Sequence, residues 1–238
     1  MVMMMTIGCL CIHGFTGNPN EIKPLVNYLN EKTNWLLAVP TLPGHGETLS
    51  LKGIRYEEWL EHAEAELKVL LNKCETVYVI GFSMGGLIAS YLATHYPVKK
   101  LVLLSAAARY INLKQLAADI AEMIRDSFRG NLAHNDLFLR YKTKIRNTPI
   151  EATRQFRTLV STIRPMLANI TIPTFIAQGE IDGIVPPKTA RYLYDVINAQ
   201  EKKLIFLKEC KHLICHCNER DKLFAEVLAF LKRQQISL

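Results

Sequence analysis

The chain is predicted to fold as an α/β protein, with a mostly parallel sheet of about six or seven strands flanked by helices. Three observations carry that prediction. Short apolar, β-branched runs alternate with longer stretches whose apolar residues recur at helical spacing. Several runs end in loops bearing Gly, His or acidic residues, as parallel strands do at the carboxyl edge of an open sheet. One run, Thr76–Ile80, leads into Gly81-Phe82-Ser83-Met84-Gly85 and then into a small-residue helical stretch, Gly86–Ala93. A serine on so tight a strand-to-helix turn has strained backbone geometry, with its hydroxyl pushed clear of the sheet. Glycine is needed two residues to either side, where a Cβ would meet neighbouring backbone.

The remaining elements follow in order. Thr6–Ile12 reads as a buried parallel strand and ends in His13-Gly14-Phe15-Thr16-Gly17. Asn18-Pro19 opens a helix with Ile22, Leu25, Val26 and Leu29 on one face. Trp35–Val39 is the second strand, followed by the turn-rich Pro43-Gly44-His45-Gly46. Residues 56–72 form an amphipathic helix that buries Trp59, Leu60, Ala63 and Leu67. Lys100–Ser105 is the fourth strand. Pro173–Gln178 and Lys203–Leu207 are the fifth and sixth, with a helix between them from Pro187 to Asn198. Asp221–Arg233 closes the chain as a helix.

Between Ala106 and about Asn169 the alternation stops and the pattern is helical throughout. The expected organisation is therefore a core of residues 1–105 and 171–238, with residues 106–170 inserted as a helical cap. Leu113, Leu116, Ile120, Met123, Ile124 and Phe128 are its candidate pocket lining. Residues 106–170 hold 11 Lys/Arg against 5 Asp/Glu, so +6 of the net +7 lies there. No nucleic-acid-binding motif accompanies this charge, and a solvated basic face is its simplest reading. Weak contact with lipid or anionic surfaces stays open, as do monomer and homodimer.

At 238 residues, 49% hydrophobic and 21% charged, the composition is that of a globular protein with a sizeable core. Met1–Ile12 is apolar but carries no basic leader, so neither a signal peptide nor a membrane span is expected, and the location is taken as cytoplasmic. The six cysteines then read as reduced thiols, with Cys9 and Cys11 as small buried hydrophobes.

A nucleophilic serine needs a base to take its proton, and the base needs a carboxylate to fix its tautomer. The chain supplies Ser83, Asp182 and His212 in that order, each in a loop after a predicted strand. With the His13–Gly17 opening, Gly44-His45-Gly46, the Gln178–Pro186 acid loop and the His212–Asp221 tail, the sequence resembles the α/β-hydrolases over nearly its whole length. It is most similar to small bacterial carboxylesterases and monoacylglycerol-lipase-like serine esterases. The resemblance implies Ser83 as nucleophile, Asp182 as acid and His212 as base, with the backbone N–H groups of Phe15 and Met84 as oxyanion hole. It implies a small-molecule ester of short to medium acyl chain as substrate, no cofactor and no nucleic-acid partner. His216 competes with His212 and Glu180 with Asp182; the family's tail and acid loop select His212 and Asp182. Thioester or carbon–carbon hydrolysis on the same triad, or a non-catalytic ligand-binding role for the fold, are the alternatives.

Cys210, His212, Cys215, His216 and Cys217 invite a zinc reading, but C-x4-C-x-C matches no paired knuckle, and metal on His212 would disable the base. Because a serine–histidine–aspartate mechanism needs no metal, ester-cleaving activity is expected to survive prolonged EDTA treatment. Metal analysis of the purified protein checks the same point. Stoichiometric zinc lost together with activity would restore the cluster as a metal site.

Overall fold

The computed structural model describes residues 6–109 and 150–233. Six strands form one sheet: β1 (Ile7–Ile12), β2 (Leu36–Ala38), β3 (Thr76–Phe82), β4 (Lys100–Leu104), β5 (Thr174–Gly179) and β6 (Lys202–Leu207). The α-helices among the described residues are α1 (Lys23–Lys32), α2 (Tyr56–Lys73), α3 (Met84–His95), α4 (Ile150–Ile163), α5 (Lys188–Val196) and α6 (Arg220–Lys232). The strand order is β2-β1-β3-β4-β5-β6, and every pairing is parallel. This is the open, helix-flanked α/β sheet expected from the alternation.

Strand alternation divides the core in two. Leu10 and Ile12 of β1, Val77 and Val79 of β3, and Leu101 and Leu103 of β4 face one side, where they pack with residues of α2, α3, α4 and α5. Cys9 and Cys11, Tyr78 and Ile80, Val102 and Leu104 face the other, against α1 and α6. Period-two burial on both faces is why these strands read as unbroken apolar runs. α4 buries Ala152, Phe156, Leu159 and Ile163 in the same cluster as α2 and α3. The six pocket candidates from Leu113 to Phe128 lie outside the described residues, as does most of the 106–170 segment.

The order reverses between β1 and β3. From β1 the chain crosses by α1 to one side, and from β3 it crosses by α3 to the other. The carboxyl ends of those two strands therefore border the crevice in which open α/β sheets bind ligands. β1 ends at His13–Gly17 and β3 at Ser83.

β3 runs two residues beyond the predicted Thr76–Ile80, because Gly81 and Phe82 still pair with Leu103 and Leu104. At the far end of the sheet the buried Lys100 closes α6. Its Nζ donates to the carbonyls of Phe230, Leu231 and Arg233, while burial lowers its pKa.

Close packing sets the turn after β3. A Cβ on Gly81 would run into the backbone of Gly85 and Gly86, and one on Gly85 into the carbonyls of Ile12 and His13. Neither obstacle is a side chain that can swing away. Gly81→Ala is therefore expected to destabilise the fold by at least about 2 kcal/mol. Gly53, with φ of 77° and open space around its ideal Cβ, is the control. There alanine is expected to cost only about 1 kcal/mol, from the left-handed backbone alone. Urea unfolding of both variants checks the contrast; equal losses would show that backbone crowding does not set the turn.

Candidate active site

Ser83 caps the N-terminus of α3 with φ 53° and ψ −116°. A non-glycine residue in that region is strained by about 1–3 kcal/mol and persists only where its surroundings over-determine it. Here they do. The Ser83 N–H donates to Leu104 O at 2.9 Å, and Ser83 O accepts from Gly86 N at 3.0 Å and Ala107 N at 3.1 Å. The turn leaves Ser83 buried, with Met84 in the first helical position, where a backbone N–H has no partner within its own helix.

The three residues predicted to act together do meet. His212 Nε2 lies 2.9 Å from Ser83 Oγ, and His212 Nδ1 lies 2.8 Å from Asp182 Oδ2. All three are buried. Asp182 Oδ1 accepts from the N–H groups of Ile184 and Val185, each at 2.9 Å. Its Oδ2 also accepts from Gln178 Nε2 at 2.7 Å. With the His212 N–H these donors fill the four lone-pair positions of a carboxylate. An imidazole held between this carboxylate and the serine can take the hydroxyl proton.

The competing residues sit elsewhere. Glu180 is exposed. His216 donates from Nε2 to Asn20 O at 2.9 Å, and partial burial of its ring lowers its pKa. His13 braces the loop after β1. Leu42 N–H donates to its Nε2 at 3.1 Å, so Nδ1 carries the proton and donates to Gly14 O at 2.8 Å. His45 is held in its turn by Nδ1 donating to Pro43 O at 3.0 Å.

The loop bearing Phe15 lies directly beside the serine: a Cβ on Gly14 would sit 3.2 Å from Ser83 Cβ. The Phe15 ring stacks on Phe156 of α4, with centroids 5.0 Å apart and planes 12° from parallel. It meets Trp59 edge-on at 5.9 Å. An aromatic wall thus flanks the loop. Phe156 escaped the sequence reading of the site, although its spacing with Ala152, Leu159 and Ile163 marks a buried helix face.

The cysteine expectation needs correction. Cys210 and Cys217 are joined by a disulfide, so they are not reduced thiols. The fold brings their Cα atoms to 5.4 Å, within disulfide range, because the chain turns back through a short helix at Ile214–His216. Cys9, Cys11, Cys74 and Cys215 are free and buried. Burial pushes the Cys215 thiol far up, which leaves it neutral and unreactive. Among the described residues, no three His, Cys, Asp or Glu side chains are placed to hold one metal ion, and no helix is long and apolar enough to cross a membrane.

Gln178 also went unassigned in the sequence, since nothing in its spacing marks it. Its amide bridges Asp182 Oδ2 and Val185 O, at 2.7 and 3.0 Å. Removing that donor leaves the carboxylate under-bonded and free to turn. Gln178→Leu is expected to lower kcat on the order of tenfold, about one lost buried hydrogen bond to a charged group. Steady-state kinetics on folded protein check this; an unchanged kcat would show that His212 and the two backbone donors suffice.

The model of the serine aminopeptidase S33 family matches residues 8–221. A thermostable monoacylglycerol lipase of Bacillus sp. (strain H-257) is 28% identical over 214 residues, 87% of this chain and 83% of the lipase. A carboxylesterase of Bacillus subtilis (strain 168) is 25% identical over 228 residues, 94% of this chain and 92% of the esterase. The solved structure of a metagenome-derived lipolytic enzyme superposes with a TM-score of 0.76 at 22% identity, covering 97% of this chain and 95% of the other. With its sheet, its strained serine turn and a family match that spans nearly the whole sequence, the chain belongs to the serine aminopeptidase S33 family and is an α/β-hydrolase of the esterase–lipase type.

Proposed function

We propose that the protein is a serine carboxylesterase acting on carboxylic esters of short to medium acyl chain, monoacylglycerols among them, through a Ser83–His212–Asp182 triad. The observation that carries this reading is the continuous buried hydrogen-bond line from Ser83 Oγ through both ring nitrogens of His212 to Asp182 Oδ2. The lipase and esterase names of the two bacterial relatives support the choice of bond. The aromatic wall of Phe15, Phe156 and Trp59 supports an apolar chain beside the serine.

The chemistry follows from the geometry. As Ser83 Oγ attacks the ester carbonyl, His212 Nε2 takes its proton and Nδ1–H stays bonded to Asp182. The carbonyl oxygen becomes an oxyanion that the backbone N–H groups of Phe15 and Met84 receive, the latter at the positive end of α3. Collapse expels the alcohol, which takes the proton from Nε2. A water then gives its proton to the same nitrogen and attacks the acyl-serine, and collapse frees the acid and restores Ser83. The +6 carried by residues 106–170 would favour anionic substrates or lipid surfaces through a screened, long-range field.

The test is a set of variants on a p-nitrophenyl ester. Ser83→Ala and His212→Ala are each expected to lower kcat/KM on the order of 10⁴-fold, with Asp182→Asn close behind. Glu180→Gln and His216→Ala are expected to stay within about tenfold of wild type, as neither touches Ser83. A fluorophosphonate should label Ser83 at one per chain by intact mass. Esters of graded acyl length, monoacylglycerols and acyl-thioesters compared on wild type then identify the bond. Absence of labelling would overturn the triad, and a preference for thioesters would move the protein to thioester hydrolysis.

A further inference from the structure

Gly14 to Gly17 form a tight turn, closed by Gly17 N–H donating to Gly14 O at 3.3 Å. Thr16 occupies its third position with φ of 61°. That place in a turn suits glycine or asparagine; a β-branched residue there is strained. Something must hold the turn in this shape, and the contacts identify it. Glu21, buried on the short helix Pro19–Glu21, reaches back so that Oε2 accepts the Gly14 N–H at 2.8 Å. Its carboxylate occupies the space where a side chain on Gly17 would start, so that a Cβ there would overlap both oxygens. On the far side, a Cβ on Gly14 would sit 3.2 Å from Glu21 Oε2 and equally 3.2 Å from Ser83 Cβ. The turn is therefore clamped between the carboxylate and the serine.

The base of the clamp is itself fixed. Asn18 Oδ1 accepts from Asn20 N at 2.9 Å, and Glu21 N donates to Asn18 O at 3.1 Å. His216, from the loop that carries His212, donates to Asn20 O at 2.9 Å.

We propose that Glu21 is a positioning residue for the oxyanion hole: its carboxylate fills the turn Gly14–Gly17 and holds the Phe15 N–H toward the oxygen that Ser83 chemistry charges. This rests on the esterase reading above. Glu21 acts through the backbone of the Gly14–Gly17 turn, whose Gly14 N–H it accepts. Loss of the carboxylate leaves the Gly14 N–H without its acceptor and lets Thr16 relax to negative φ. The Phe15 N–H then turns away, and a misplacement of about 1 Å costs on the order of 10²-fold in rate, as does loss of one oxyanion donor.

The experiment compares wild type with Glu21→Gln, Glu21→Asp and Glu21→Ala. It measures kcat and KM on a p-nitrophenyl ester, Ki for a trifluoromethyl ketone of matched chain length, and the thermal midpoint. Glutamine keeps an acceptor in place, so kcat should stay within about tenfold. Aspartate keeps the carboxyl group but withdraws the oxygens, and alanine removes them. Both should lower kcat, alanine on the order of 10²-fold, with KM changed by less than about threefold and the ketone Ki raised by the same factor as the loss in kcat/KM. A purely structural role predicts something else: fewer active molecules lower the apparent kcat but leave the ketone Ki where it was. An unchanged Ki, or an alanine variant with more than about half the wild-type kcat, overturns the assignment. If Glu21→Ala fails to fold, the aspartate variant carries the same test. A wild-type protein that hydrolyses no ester and takes no fluorophosphonate overturns the esterase reading and this proposal together. A labelled, active wild type beside aspartate and alanine variants of unchanged kcat and Ki overturns only the role of Glu21.

Discussion

Backbone packed directly on backbone at the end of β3 is the constraint on which the rest of the structure depends. Gly81 and Gly85 remove the two side chains that would keep the strand, the helix and the β1 loop apart. With those gone, α3 starts at Met84 and lies against the Ile12 and His13 carbonyls, and Ser83 is left in a conformation that a free chain avoids. The strain is maintained by hydrogen bonds from β4 and from the chain just beyond it, through Leu104 O and Ala107 N. A parallel sheet supplies both, because adjacent strands end at the same edge. The serine is thus held by the sheet as well as by its own turn.

The polar groups gathered at that edge follow a second constraint. Each is buried, and a buried polar group is expensive unless bonded. The structure meets this with few residues, each serving more than one purpose. Asp182 is bonded by two backbone N–H groups of its own loop, by Gln178 from β5 and by His212 from the loop after β6. His13 uses one ring nitrogen on Leu42 and the other on Gly14. Glu21 answers the Gly14 N–H. The result is a connected set of loops after β1, β3, β5 and β6, in which each bond made also fixes the direction of the group that makes it. Preorganised donors of this kind suit a reaction that develops charge at one oxygen.

The same economy applies to an aromatic residue at the site and to a basic one at the opposite end of the sheet. Phe15 serves the loop with its backbone and the wall with its ring, stacked on Phe156. Lys100, buried at the amino end of β4, neutralises the carbonyls that α6 leaves open and ties the last helix to the sheet. Burial lowers its pKa, yet three carbonyl acceptors around one ammonium retain it there.

The sequence by itself determined the layers, the strands and the three loops that converge. Period-two burial along β1, β3 and β4 produces apolar runs, period-3.6 burial produces the faces of α1, α2 and α6, and both are local properties of the chain. The glycine spacing around Ser83 was legible as a motif between a strand and a helix, although one of the close approaches it permits, that of Gly85 to the Ile12 and His13 carbonyls, is made to a distant segment. Ser83, Asp182 and His212 were legible because each follows a strand and their chain order matches a known pattern. What the tertiary structure decided is what depends on contacts between distant segments. The family's acid loop and tail select Asp182 over Glu180 and His212 over His216, but only the folding back of their loops brings Asp182 to His212 and His212 to Ser83. Gln178 and Glu21 carry no motif, because each is defined by the backbone N–H or carboxylate it reaches. The Cys210–Cys217 bond reversed the expectation of reduced thiols, since spacing alone does not show that the chain turns back at Ile214–His216 and brings the two sulfurs together. Local periodicity is written residue by residue; the direction of a side chain in a loop is set by the neighbours that the fold brings to it.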